Sequence, residues 1–171
     1  DASEEEAVKV SLNDVIENAL QLMGTQLGSH GIHIGLDLGE ATPSLMGHPY
    51  QLEQVILNLL ANARDALDER GVGDGSVPAA QKRIEIRTRY ESGAVPQVIA
   101  EIEDNGVGID PAVQHRLFEP FYTTKEADRG TGLGLSISHA MVRNHGGEIS
   151  VASEPGTGAV FRVTIPVSGG V

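Results

Sequence analysis

The sequence predicts an α/β fold, a two-layer sandwich in which one mixed β-sheet carries its helices packed on one face. Three observations lead there. Stretches with helical periodicity and stretches that alternate apolar and polar residues follow one another irregularly along the chain. Two of the alternating stretches are joined by a short turn and read as a hairpin. No internal repeat and no linker interrupts the 171 residues, a length that suits one domain with a real core. That domain is expected over residues 11–167, between an acidic tail at 1–10, expected to fray, and a short tail at 168–171.

The elements follow in order. Ser11, with Asp14 three residues on, reads as a helix start. The helix carries Val15, Ile16, Ala19, Leu20, Met23 and Leu27 on one side, and Gly28 and Gly31 bracket its end. Ile32, Ile34, Leu36 and Leu38 alternate as a half-buried strand. Residues 43–49 read as a connection. Residues 52–67 then form the helix around which the chain is organised. Leu52, Val55, Ile56, Leu59, Ala63 and Leu67 make its broad apolar face. Asn58, Asn62 and Asp65 make a narrow polar stripe, because steps of three and four residues return to one side. Residues 70–81 are a polar, glycine-rich loop. Ile84, Ile86, Thr88 and Tyr90 form a second strand, Ser92-Gly93 a turn, and residues 98–103 a third strand. Pro111 opens a short helix that ends near Leu117. A further helix covers about 133–144 and stops at His145-Gly146-Gly147. Two last strands, 148–153 and 159–166, flank the turn Pro155-Gly156-Thr157-Gly158.

Composition narrows the function classes. A net charge of −12 argues against a nucleic-acid surface, which would be basic. The absence of cysteine excludes disulfides and zinc–thiolate sites. No apolar run approaches a membrane span, so this piece is expected to make no membrane contact. The six histidines form no metal pattern. His145, placed in a helix's last turn, would there benefit from a partial positive charge.

Four stretches have two readings each. A carboxamide buried without a partner costs roughly 1–3 kcal/mol, so something polar must face Asn58 and Asn62. That partner is either neighbouring backbone or a ligand. Asp104-Asn105-Gly106-Val107-Gly108, at a strand end, is either an ordinary Asp-Gly turn or a partly buried carboxylate with two glycines that admit another molecule. Gly130-Thr131-Gly132-Leu133-Gly134-Leu135 opens a helix and is either a hinge or a phosphate cradle of backbone N–H groups. It lacks the spacing of the dinucleotide fingerprint and the Lys-Ser/Thr of a P-loop. Lys125 and Arg129, just upstream, are either solvated surface residues or cations that attract phosphate. Glu119 reads as structural.

In order and spacing these stretches resemble the catalytic and ATP-binding domain of a two-component sensor histidine kinase. That domain belongs to the superfamily shared with gyrase, chaperone and mismatch-repair ATPases, whose fold is the Bergerat-type ATP-binding fold. Asn58-Leu59-Leu60-Ala61-Asn62-Ala63 resembles the N box. Asp104-Asn105-Gly106-Val107-Gly108 resembles the first glycine box, and Phe118-Glu119-Pro120-Phe121 the F box. Gly130-Thr131-Gly132-Leu133-Gly134-Leu135 resembles the second glycine box, and Gly156-Thr157-Gly158 the last glycine motif. The match runs over residues 11–166.

The resemblance implies ATP and Mg²⁺ as cofactors. It implies that Asn62 ligates Mg²⁺ and that Asn58 helps to hold the phosphates and a metal-bound water. Asp104 would accept a hydrogen bond from the adenine amino group, with Gly106 and Gly108 letting backbone approach the nucleotide. Residues 122–134 would form a lid, in which Lys125 and the N–H groups of Gly132 and Leu133, next to Gly134, would meet the phosphates. Thr157 would lie near the adenine. The implied partner is a helical-hairpin phosphoacceptor domain of the parent kinase, and through it a response regulator. The implied location is cytoplasmic, whether or not the parent is membrane-anchored.

Two departures stand out. Many members continue Asn-Ala-x-Lys-Tyr after the metal ligand. Here the run is Asn62-Ala63-Arg64-Asp65-Ala66, without the lysine or the aromatic, and Arg64 points about 160° away from Asn62. No histidine in the chain lies in a phosphoacceptor motif. Two other functions compete with histidine phosphorylation: a superfamily ATPase, and a nucleotide-binding regulatory module without transfer. The ATPases carry a glutamate one turn before the metal-binding asparagine; here Asn58 stands there and cannot activate water. A serine-directed anti-sigma-factor kinase shares the fold.

Overall fold

The computed structural model describes residues 6–70, 82–120, 122 and 134–167. The expected motif residues Phe121, Lys125, Arg129, Gly130, Thr131, Gly132 and Leu133 lie outside them.

Eleven elements are present among the described residues. Strand β1 is Val8–Val10, helix α1 Leu12–Ser29, β2 His33–Leu38 and β3 Leu45–Gly47. Helix α2 is Pro49–Arg70, followed by β4 (Arg83–Glu91), β5 (Gln97–Asp104) and α3 (Pro111–Gln114). Helix α4 is Gly134–Asn144, and β6 (Glu148–Glu154) and β7 (Gly158–Pro166) are the last two described elements.

Ser11 caps α1 as expected, its hydroxyl accepting from Asp14 N at 3.3 Å. The helix runs past its apolar pattern to Ser29, and Gly31, at φ 76°, turns the chain into β2. Helix α2 buries Leu52, Val55, Ile56, Leu59, Leu60, Ala63 and Leu67. At roughly 1.5–3 kcal/mol for each large aliphatic, that face contributes on the order of 10 kcal/mol before chain entropy is offset.

The main sheet has the order β2-β4-β5-β7-β6. β2 and β4 pair in parallel, which α2 permits by crossing between them, and the other pairs are antiparallel. The sheet is therefore mixed, with helices on one face, and β4–β5 form the expected hairpin. The inward face holds Ile84, Ile86, Val98, Ala100, Ile102, Phe161, Val163 and Ile165, joined to the helices in one apolar core. The outward face is a ladder of charge. Glu101, 8% exposed, meets Arg89 Nη1 at 2.7 Å and Arg162 Nη2 at 3.0 Å. Burial raises the Glu101 carboxyl, but Arg162 and Arg89 outweigh it and hold the group below the usual carboxylate range.

The N-terminus corrects one expectation. Residues 8–10 do not fray: Val8, Lys9 and Val10 pair antiparallel with Gly47, Met46 and Leu45. Residues 45–47, expected to be connection, are the partner strand. Val10 and Leu45 are buried side by side, so a small apolar anchor holds this pair.

Candidate functional site

β5, a central strand, ends on Asp104, whose neighbours in register are Ile84 and Ala159. The residue is only 4% exposed. One carboxylate oxygen accepts from Gly106 N at 2.8 Å. Burial pushes its pKa up to about 6; the N–H groups of Gly106 and Ala159 oppose the rise, and the Glu103 charge adds to it. None of these partners is a cation. The group is a carboxyl held in place as an acceptor and desolvated, the state expected of a ligand anchor.

The chain after Asp104 is clamped by several elements. From α2, the Arg70 guanidinium donates to Asn105 O, and Ala66 O accepts from Val107 N at 3.3 Å. From β4, Arg83 N donates to Asn105 Oδ1 at 2.8 Å. From the β6–β7 turn, Gly156 N donates to Val107 O at 2.7 Å. Ser153 Oγ accepts from Ile109 N at 2.8 Å and donates to Gly158 O at 2.6 Å. Gln114 Nε2 donates to the carbonyls of both Ile109 and Ser153.

The two glycines of the loop have their own reasons within this clamp. A Cβ on Gly106 would press on the backbone of Ala66. Gly108, at φ 74°, lies so close to Glu154 O that a Cβ would collide with it. Both glycines thus serve packing of the loop, whatever they also admit. Thr157 lies in the same turn, with its hydroxyl donating to Glu154 O at 3.0 Å. The first glycine stretch and the last one, about 50 residues apart, form one assembly around Asp104.

The α2 stripe forms a second wall. Asn58 and Asn62 are half-buried, as expected. Asn58 Nδ2 donates to Gly134 O at 3.3 Å and to Ser138 Oγ at 3.1 Å, so its internal partner is α4. Asn62 and Asp65 are also engaged. Arg64 turns toward α1, where its Nη1 donates to Gln26 Oε1 at 3.0 Å, and its Nη2 lies 3.1 Å from Asp65 Oδ1.

His145 corrects a second expectation. It follows α4 and is not favoured as a cation. Its Nδ1 lies 2.7 Å from Met141 O, so that nitrogen carries the proton. Its Nε2 then accepts from His48 N at 3.0 Å. Burial pushes its pKa down and the nearby His48 ring adds to this, against the pull of the Met141 carbonyl. A neutral His145 joins the end of α4 to the chain entering α2.

Of the expected site residues, the structure brings Asp104, Gly106, Gly108 and Thr157 together, and joins Asn58 to Gly134 across α2 and α4. Lys125, Gly132 and Leu133 lie outside the described residues. The sequence reading missed Arg70, Gln114, Ser138 and Ser153. Arg70 alone carried a signal, as a cation at the end of the organising helix. The others are small or neutral polar residues whose partners lie far along the chain. Among the described residues no group of three or more His, Asp or Glu could hold a metal ion. A cation here would rely on amide oxygens and its own ligand's oxygens. That donor set suits a hard ion such as Mg²⁺, which binds oxygen and keeps waters.

Residues 47–169 match the model of a family described as histidine kinase-, DNA gyrase B-, and HSP90-like ATPase. The chain belongs to this family. The two-component sensor PprA of Pseudomonas aeruginosa is 43% identical over 152 residues, 89% of this chain and 16% of that protein. The sensor histidine kinase ZraS of Escherichia coli is 36% identical over 159 residues, 93% of this chain and 31% of that protein. Among solved structures, the nucleotide-free catalytic domain of histidine kinase ThkA matches with a TM-score of 0.76 at 26% identity, over 96% of this chain and 97% of that one. The chain therefore spans less than a third of these curated relatives, in the manner of one domain. This histidine kinase-like ATPase domain is an ATP-binding catalytic domain of the sensor-kinase type.

Proposed function

We propose that the domain positions Mg-ATP for transfer of the γ-phosphoryl group to a histidine on a separate phosphoacceptor domain of its parent, in two-component signalling. The observation that carries this reading is Asp104, a desolvated acceptor at a central strand end facing the α2 asparagine stripe's helix. Asp104 accepts the adenine amino proton, and the clamped loop and Thr157 turn frame the base. Asn62 holds Mg²⁺ through its amide oxygen, with Asn58 beside it. Bound there, the metal supplies neutralisation of phosphate charge, which is most of what phosphoryl transfer asks of a protein. Lys125, Gly132, Leu133 and Gly134 meet the phosphates in this reading. The phosphoacceptor domain passes the group on to a response regulator, and the work is cytoplasmic. Among the described residues no helix is long and apolar enough to cross a membrane.

Mixing the chain with the parent's phosphoacceptor domain and γ-labelled ATP tests this. Acid-labile, alkali-stable label on that domain is the expected result; none, with ATP binding intact, refutes transfer. Asn62→Ala should erase the Mg²⁺ dependence of ATP binding while the domain stays folded. Titration of ATP with and without the metal reads this directly, and an unchanged dependence removes Asn62 from the metal site.

A further inference from the structure

The Asn58 carboxamide has a nitrogen that only donates and an oxygen that only accepts. Its nitrogen lies 3.3 Å from Gly134 O and 3.1 Å from Ser138 Oγ. A backbone carbonyl only accepts, so the nitrogen must be the end that faces α4. The oxygen of the planar group then points away from both contacts. Ser138 is wholly buried, at 0% exposure, four residues after Gly134 on the same helix. Of the two contacts, the one to Ser138 is shorter and more sheltered from water, so it constrains the carboxamide more. Without it, only the longer and more exposed contact to Gly134 O holds the group, and the terminal torsion of an asparagine, broad and roughly two-fold, is freer to turn.

We propose that Ser138 is a positioning residue for the metal–nucleotide complex. Gly134 O selects the nitrogen, and the buried Ser138 hydroxyl holds it there, so that together they present the Asn58 oxygen to Mg²⁺ or to a metal-bound water. The proposal rests on the functional reading above. It also ties α4, which follows the second glycine stretch, to the metal-binding face of α2. The bond spans 80 residues of sequence, which is why no local pattern announces it.

The test uses the 171-residue chain, calorimetric titration of ATP with and without Mg²⁺, and thermal melting. Ser138→Ala should weaken Mg-ATP binding about three- to tenfold, the effect of one hydrogen bond, and leave metal-free ATP affinity within about twofold. In an Asn58→Ala background the same change should have no further effect on the gain from Mg²⁺, because Ser138 acts through Asn58. Equal losses with and without metal, or no loss, would mean that the hydroxyl only packs α4, whatever the melting temperature does. A full further loss in the Asn58→Ala background overturns the proposal as well. A wild type that binds ATP with no response to Mg²⁺ sinks the role of Ser138 and spares the adenine site. A wild type that binds no ATP removes the functional reading itself.

Discussion

Asp104 concentrates the chemistry at the scale of one residue. Its native pKa of about 6 stands above the ordinary 3.8, so between those values the folded state binds more protons than the unfolded one. Stability contributed by this group is therefore lost as the pH rises from 4 to 6. Above that range the fold bears a cost of about 3 kcal/mol, at 1.36 kcal/mol per unit. Asp104→Asn keeps an acceptor for Gly106 N and removes the charge. It should stabilise the free domain at pH 8 by about 1–2 kcal/mol, measured by urea unfolding. A less stable variant would show that the carboxylate is not strained. The same residue should set base choice. An ionised carboxylate accepts from the adenine amino group but faces an acceptor on guanine, and a hydrogen bond to a charged group contributes roughly 1.5–3 kcal/mol. ATP should bind at least about tenfold tighter than GTP, and Asp104→Ala should lose most of that preference. Comparable affinities in the wild type would take Asp104 out of the base site.

The elements show what a sequence reveals and what it hides. The α2 face and the β4–β5 hairpin were legible, because their periodicity repeats over many residues and burial enforces it. β1 and β3 were not: three residues each is too short for alternation to register, and their pairing joins positions about 37 apart. In the site, Asp104 and the α2 asparagines were legible as polar groups in apolar surroundings. The clamp was not, since Ser153 and Ile109 are 44 residues apart and a lone serine carries no pattern. His145 was misjudged because helix-end electrostatics favour a cation, whereas the acceptor role toward His48 N requires a neutral ring. Its native pKa lies below the ordinary 6.5, so the unfolded state takes up a proton first. Stability from this anchor is present above 6.5 and is lost as the pH falls below it. The His145 ring should titrate below 6.5, with the proton on Nδ1 at neutrality, as read by ¹H–¹⁵N correlation spectra. Titration above 6.5 would contradict the tie between α4 and α2.

On the scale of the whole molecule, the sandwich separates two tasks. The outward sheet face is held by ion pairs centred on Glu101, and the proposed ligand site lies where β5 ends near α2 and the β6–β7 turn. Glu101→Ala leaves Arg89 and Arg162 without their shared partner. Those arginines are about half exposed, so solvent softens the loss to about 1–2 kcal/mol in unfolding. Because the Glu101 pKa is held down, its contribution is present above 4.5 and fades as the pH falls below it. Nucleotide affinity should be unchanged, since Glu101 faces away from the helices. Turnover follows from the other end of the sandwich. The residue one turn before Asn62 is Asn58, whose nitrogen is held by α4. An amide cannot take a proton from water at neutral pH, so nothing at that position turns bound ATP over by hydrolysis. A general base contributes typically 10²–10⁴-fold, so the isolated chain should release phosphate at roughly that factor below a family ATPase with glutamate there. Asn58→Glu should not restore hydrolysis simply by adding a base, because a carboxylate cannot donate to Gly134 O and is repelled by that carbonyl oxygen. Steady-state phosphate release by the wild-type chain at rates matching such an ATPase would move the function from phosphoryl transfer to hydrolysis.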